Sequence, residues 1–239
     1  MKDLDVLVSG PESSRNLFAI STQCLNWFPD IDPRFDLEDI GVQAVSVDHR
    51  GKGNVRFVTV DVDFKNHKGV SQTNTIFMRG ASVVVLPVLL CNGVKYTILA
   101  NQPRLATGIY AFPELPAGTL EGNEPVKSRV IKEIEEELGV RIRLEDLLDL
   151  TQTIYEDKWK GVYTSPGACD EYLRIFLWVH EVSPDELRSF IGRNTGLQEE
   201  GEEIVLSVVR LYELPFYAPD AKSLSAFALY EAALQLGKI

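Results

Sequence analysis

Three glutamates, Glu133, Glu136 and Glu137, fall within one short stretch at helical spacing, which sets them on a single arc of a helix. Side chains three and four residues apart on a helix are neighbours, so exposed carboxylates in that pattern repel by ~0.2–0.5 kcal/mol per pair. In a last turn they also oppose the helix dipole, at roughly 0.3–1 kcal/mol each. A sequence that breaks its own local rules in this way often marks a functional site. Divalent cations among the carboxylates reverse the sign of both penalties. Mg²⁺, with Mn²⁺ as the alternative, suits such an all-oxygen donor set, with water and substrate phosphates completing its shell. The competing reading is an ordinary charged helix face.

Neighbouring residues supply the helix that positions this arc. Pro125 suits a helix start and Gly139 a left-handed C-cap. Val126, Val130, Ile134 and Leu138 recur every fourth residue as an apolar stripe beside the arc, and Glu135 points elsewhere into solvent. Gly118 stands upstream, Glu124 follows it, and Lys132-Glu133-Ile134-Glu135-Glu136-Glu137-Leu138-Gly139-Val140 closes the pattern. This gapped motif closely resembles the signature of the Nudix hydrolases. The departure is Lys132, where the family carries an arginine that orients a catalytic carboxylate. Lysine keeps the charge without the bidentate fork, and four residues on, Glu136 is within reach of an ion pair.

The resemblance extends to Glu114-Leu115-Pro116-Ala117-Gly118, Ser165-Pro166-Gly167 and Asp170-Glu171, with echoes at Arg79-Gly80-Ala81, Gln102-Pro103-Arg104, Thr195-Gly196-Leu197 and Asp220-Ala221-Lys222. It is closest to the plant-type ADP-sugar diphosphatases and the ADP-ribose diphosphatases, and covers roughly Asn54 to the C-terminus. It implies an α/β fold: the Nudix α/β/α sandwich with a mixed sheet, preceded by a β-rich N-terminal extension. The implied reaction is metal-dependent hydrolysis of a nucleoside diphosphate sugar, such as ADP-glucose, ADP-ribose or UDP-glucose, to a nucleoside monophosphate and a sugar phosphate.

Carried over residue by residue, the resemblance makes Glu133, Glu136, Glu137 and the Ala117 carbonyl the metal ligands, with Gly118 and Glu124 behind them. Glu200 becomes the base for the attacking water and Glu202 a further metal contact, the choice within Glu199, Glu200, Glu202 and Glu203 staying open. Glu136 and Lys132 join the catalytic group. Arg79, Arg104, Glu114, Ser165 and Gly167 become substrate contacts, since a guanidinium fits phosphate bidentately. Trp159 or Tyr163 could stack on a base. Family members often dimerise through their N-terminal strands, so a homodimer is expected. A non-catalytic sensor of nucleotide sugars is the alternative, with Lys132 as its only support. A nucleoside triphosphate or a cap as substrate is a third reading, disfavoured by the Glu114–Gly118 and Ser165–Gly167 segments.

The net charge of −11 argues against general binding to nucleic acid or membrane surfaces. It also means that metal ions and a few arginines must supply the positive field for an anionic substrate. Cys24, Cys91 and Cys169 are widely spaced and odd in number, which points away from disulfides and zinc. The first residues have no apolar signal-peptide core, and a cytoplasmic location is expected. The isolated His49, His67 and His180 read as surface or core residues.

Residues 1–79 are expected to form the N-terminal β-rich extension and 80–239 the Nudix domain. Ser14 to Phe28 reads as a helix and Pro29–Asp39 as a loop. Asn54–Lys65 and Thr73–Arg79 read as a hairpin, Ala81–Leu90 and Lys95–Asn101 as a second one around Asn92-Gly93. Further strands are expected at Phe112–Leu115, Leu147–Tyr155, Glu171–Glu181 and Glu203–Leu211, and a last helix over Ala221–Leu236.

Overall fold

The computed structural model describes residues 4–48, 54–120, 125–197 and 201–239. Two compact units account for the chain, one of residues 1–81 with 163–172, the other of residues 82–162 with 173–239.

The first unit holds helices α1 (Glu12–Ala19) and α2 (Thr22–Trp27), and strands β1 (Asp36–Val47), β2 (Val55–Lys65) and β3 (Ser71–Met78). The three strands pair antiparallel in sequence order. Val58, Val60, Val62 and Phe64 alternate inward along β2 and pack with Ile40, Val42, Phe18 and Met78. This is the two-residue period of a strand with one face in a core.

Two expectations need correction here. The segment Ser14 to Phe28 is broken at Ser21, whose Oγ donates to the Phe18 carbonyl and accepts from Cys24 N at 3.1 Å, capping a second helix. Pro29–Asp39 is not all loop: β1 starts at Asp36, and its charged outward residues hid the buried Ile40 and Val42.

In the second unit, β4 (Ser82–Cys91), β5 (Val94–Arg104), β6 (Ile109–Glu114), β7 (Ala117–Thr119), β8 (Leu147–Asp149), β9 (Tyr172–Glu181), β10 (Asn194–Thr195) and β11 (Ile204–Arg210) build one mixed sheet. Its spine runs β9-β4-β5-β11-β10. The β9/β4 pair is parallel, and β4/β5, β5/β11 and β11/β10 are antiparallel. Strand β6 pairs with β5, β7 with β4 and β8 with β9.

Successive residues of β4 enter opposite cores. Val83, Val85 and Leu89 face α3 (Val126–Glu133) and its continuation, among Val130, Ile134 and Leu138. Val84, Leu86 and Val88 lie with Leu229 and Tyr230 of α6 (Ala221–Gln235). A strand covered on both faces has no polar side, which explains its unbroken apolar run. The result is the expected α/β/α sandwich.

Leu147–Tyr155 is not one strand. It divides into β8 and helix α4 (Leu150–Tyr155), because Asp149 Oδ1 caps the helix by accepting from Gln152 N at 2.8 Å. Helix α5 (Pro184–Phe190) had no counterpart in the sequence-based expectation. Its cap is Ser183, which accepts from Glu186 N at 3.1 Å. Among the described residues, no helix is long and apolar enough to cross a membrane.

Candidate active site

The acidic arc sits where sequence and packing meet. Pro125 stands just ahead of α3, and Gly139 ends the helix in the left-handed conformation, φ 66. Between them the last turn, Ile134–Leu138, widens into a π-helix, a distortion frequent at functional sites. The Val130-Ile134-Leu138 stripe anchors this helix in the core, so the adjoining arc is pulled inward. Glu133 and Glu137 are consequently buried, at 4% and 6% exposure, while Glu136 is half-buried and Glu135 lies exposed, paired with Arg141.

Burying two carboxylates together is costly, and their proton affinities show it. Burial pushes Glu137 up to about 8, the adjacent Glu133 charge and the more distant Glu114 adding to the effect, against hydrogen bonds from Ala117 and Gln102. Burial pushes Glu133 up to about 7, opposed by Arg129 and reinforced by Glu136 and Glu202. Ala117 N donates to Glu137 Oε2 at 3.1 Å and Gln102 Nε2 reaches Oε1 at 3.4 Å. The acidic helix is thereby tied to β7 and to β5.

Arg129, one turn before Glu133, forms an ion pair with its Oε1 and so offsets part of the cost of its burial. The residue-based reading overlooked Arg129. The i,i+4 spacing to Glu133 was the signal that could have found it. Lys132, expected near the catalytic group, is exposed.

Gly118 explains itself sterically. Strand β7 pairs with β4, Gly118 opposite Val83, and a Cβ at Gly118 would lie 1.7 Å from Glu133 Oε1. The glycine keeps open the space into which the carboxylate reaches. Gly118→Ala is therefore expected to displace Glu133 rather than unfold the chain, because the obstacle is the end of a flexible side chain. Activity should fall by about tenfold or more, a loss of roughly 1.4 kcal/mol of transition-state stabilisation. The melting temperature should drop less than for a core truncation such as Ile134→Ala, which costs about 2–5 kcal/mol. Parallel activity assays and thermal melts check this.

Among the described residues, no three acidic, histidine or cysteine side chains are grouped as a ready-made cation cage. The donors still fit a hard divalent cation. Two carboxylates with raised proton affinity are buried one turn apart, and that of Glu133 lies against Gly118, where no Cβ has room.

The late loop is fastened to this helix. Thr195 Oγ1 donates to the Glu137 carbonyl at 2.5 Å, and Gly196 N to the Glu136 carbonyl at 3.0 Å. Gly196 has φ +88 and packs against Glu202 Cβ and Ile204, so only glycine fits without strain. Glu202 is exposed, accepts from Leu197 N at 3.1 Å, and its charge acts on Glu133. Glu200 and Glu124 lie outside the described residues.

Glu114 is buried and binds both Arg104 and Lys222. Of the other expected substrate contacts, Arg79, Ser165 and Gly167 belong to the first unit. There Arg79 pairs with Glu171 at 3.2 Å, and Asp170 Oδ1 accepts from Arg79 N and Gly80 N. Ser165 and Gly167 are exposed, the Ser165 carbonyl closing a turn onto Ala168 N and Cys169 N. Trp159 and Tyr163 are exposed as well.

No family model matches the chain. Nudix hydrolase 14, chloroplastic, of Arabidopsis thaliana is 32% identical over 209 residues, spanning 87% of this chain and 67% of that protein. The chain belongs to the Nudix hydrolase family. The enzyme reading is thus borne out in place of the sensor. Nudix hydrolases cleave pyrophosphate linkages in nucleotide derivatives and generally use divalent metals. In fold, the chain also matches a crystal structure of an ADP compounds hydrolase, with a TM-score of 0.50 and 17% identity over 85% of this chain and 99% of the other.

Proposed function

We propose that this Nudix hydrolase cleaves the pyrophosphate of an ADP-sugar or ADP-ribose, with Mg²⁺, releasing AMP and a sugar phosphate. The single observation that carries the metal-dependent part is the burial of Glu133 and Glu137 one turn apart, with the Glu133 carboxylate lying against Gly118. Two carboxylates in so dry a place gain from a cation far more than they would in water. The substrate class rests on the Glu114-Leu115-Pro116-Ala117-Gly118 segment.

Glu133, Glu137 and the Ala117 carbonyl are proposed to hold the metal, with Glu136 completing the arc. A divalent cation there neutralises pyrophosphate charge and makes bound water more acidic. The protein's own contributions are positional. Ala117 N and Gln102 fix the Glu137 carboxylate, and Arg129 steadies Glu133. The loop after Gly196, tied to the Glu136 and Glu137 carbonyls, is proposed to bring a base, Glu200 or Glu202, to the attacking water. Phosphoryl chemistry asks for little more than such positioning and charge neutralisation. We also propose that β2 and β3 contribute to a homodimer, and sedimentation at the monomer mass would contradict it.

The test is a panel of ADP-glucose, ADP-ribose and UDP-glucose with Mg²⁺ and product identification. AMP from an adenine substrate is the expected result. A folded protein that turns over none of the three would contradict the proposal.

A further inference from the structure

Glu114 is 2% exposed, yet two cations converge on it. Arg104 Nε donates to Oε1 at 2.6 Å, with a second guanidinium nitrogen on the same oxygen, and Lys222 Nζ donates to Oε2 at 2.6 Å. Two cations thus share one buried carboxylate, in a chain of net charge −11. The carboxylate is inaccessible, whereas the side chains of Arg104 and Lys222 are 39% and 23% exposed. A lysine offers three donors and a guanidinium five, so each has donors beyond those Glu114 takes.

Lys222 is held in place by a buried network. Asp220 caps α6 by accepting from Lys222 N at 2.9 Å and Ser223 N at 3.2 Å. Ser223 Oγ donates to Asp220 Oδ2 at 2.5 Å and accepts from Leu115 N at 3.1 Å, which joins the helix start to the residue after Glu114. A lysine in the first turn of a helix opposes the dipole, and an arginine beside it adds repulsion. An anion bound between them would reverse both penalties, as cations would for the acidic arc.

The cluster also borders that arc. The two groups that donate to the Glu137 carboxylate are Gln102, two residues before Arg104, and Ala117, three residues after Glu114. A pyrophosphate carries several anionic oxygens, and the clamp would take those not needed at the acidic arc.

We propose that Lys222 is a substrate-binding residue, which with Arg104 forms an anion clamp, locked by buried Glu114, for the pyrophosphate of the substrate. This rests on the pyrophosphate reading of the acidic site. Glu114 sets the spacing of the two cations and itself touches no substrate. The bland alternative is that Lys222 only offsets the buried Glu114 charge.

The experiment compares full-length wild type, Lys222→Gln and Lys222→Arg by calorimetric titration with inorganic pyrophosphate in Mg²⁺, alongside thermal melts. Glutamine retains a hydrogen-bond donor for Glu114 but no charge. Lys222→Gln should weaken pyrophosphate binding by about tenfold or more, the loss expected for one charge-assisted contact. Lys222→Arg should stay within about threefold of wild type, because a guanidinium also binds phosphate. With a nucleotide sugar, KM should rise in Lys222→Gln more than kcat falls. Unchanged pyrophosphate affinity in Lys222→Gln, or no binding by the wild type, would overturn the clamp. A wild type that hydrolyses no nucleotide sugar yet binds pyrophosphate in a Lys222-dependent way would remove the proposed function and leave the clamp standing.

Discussion

Glu137→Gln is expected to lower kcat roughly 10³-fold, the loss of about 4 kcal/mol of metal-borne transition-state stabilisation. The side chain is 6% exposed and bound by Ala117 N and Gln102 Nε2. Glutamine has nearly the same shape and can still accept from Ala117 N, so the core around Leu138 and Ile134 stays filled. It removes a buried negative charge that nothing in the protein neutralises outright. In metal-free buffer near pH 8 the variant should therefore melt no lower than the wild type, and Mg²⁺ should stabilise it less. Measuring kcat and metal-free melting together separates a lost ligand from a damaged fold. An inactive variant that is also unfolded would not support the account, and a fully active one would contradict it.

The second large effect is on stability against pH. Glu133 titrates near 7 and Glu137 near 8 in the folded chain, against ~4.3 for an unfolded glutamate. The native state thus holds these protons more tightly. The stability they confer is complete below the unfolded value and is lost as pH rises through 7 and then 8. In EDTA the stability should fall as pH rises from about 4 to about 8, most steeply below 7 where both groups contribute, and level off above 8. Mg²⁺ should oppose the fall, since ligand at about a hundred times its Kd adds ~2.7 kcal/mol. Other groups titrate over the same range, so the informative comparison is with Glu137→Gln, whose slope should be shallower. Equal slopes with and without Mg²⁺ would contradict the assignment.

The second unit was largely legible before its structure was known, for identifiable reasons. The stripe Val126-Val130-Ile134-Leu138 fixed which face of the helix turns inward, and Gly139 fixed where it ends. The run Ala81–Leu90 announced a strand covered on both sides. What escaped notice was set by single polar residues in mixed sequence. Asp149 turns a strand into a helix, Ser21 divides one helix into two, and Ser183 starts another.

The same holds at the site. The glutamates broke a local rule and could be found by it. Their burial could not be foreseen, because it depends on how the stripe is packed. Arg129 on Glu133, the tie from Thr195 to the Glu137 carbonyl, and the pairing of Lys222 with Glu114 across 108 positions of chain are tertiary facts with no local signature.

The most direct test is anomalous diffraction from crystals grown with Mn²⁺ and a non-hydrolysable ADP-sugar analogue. The account predicts a manganese peak at about 2.0–2.3 Å from carboxylate oxygens of Glu133 and Glu137, lost in Glu137→Gln. Well-ordered carboxylates with no peak beside them, or a metal held elsewhere with the nucleotide bound, would contradict it.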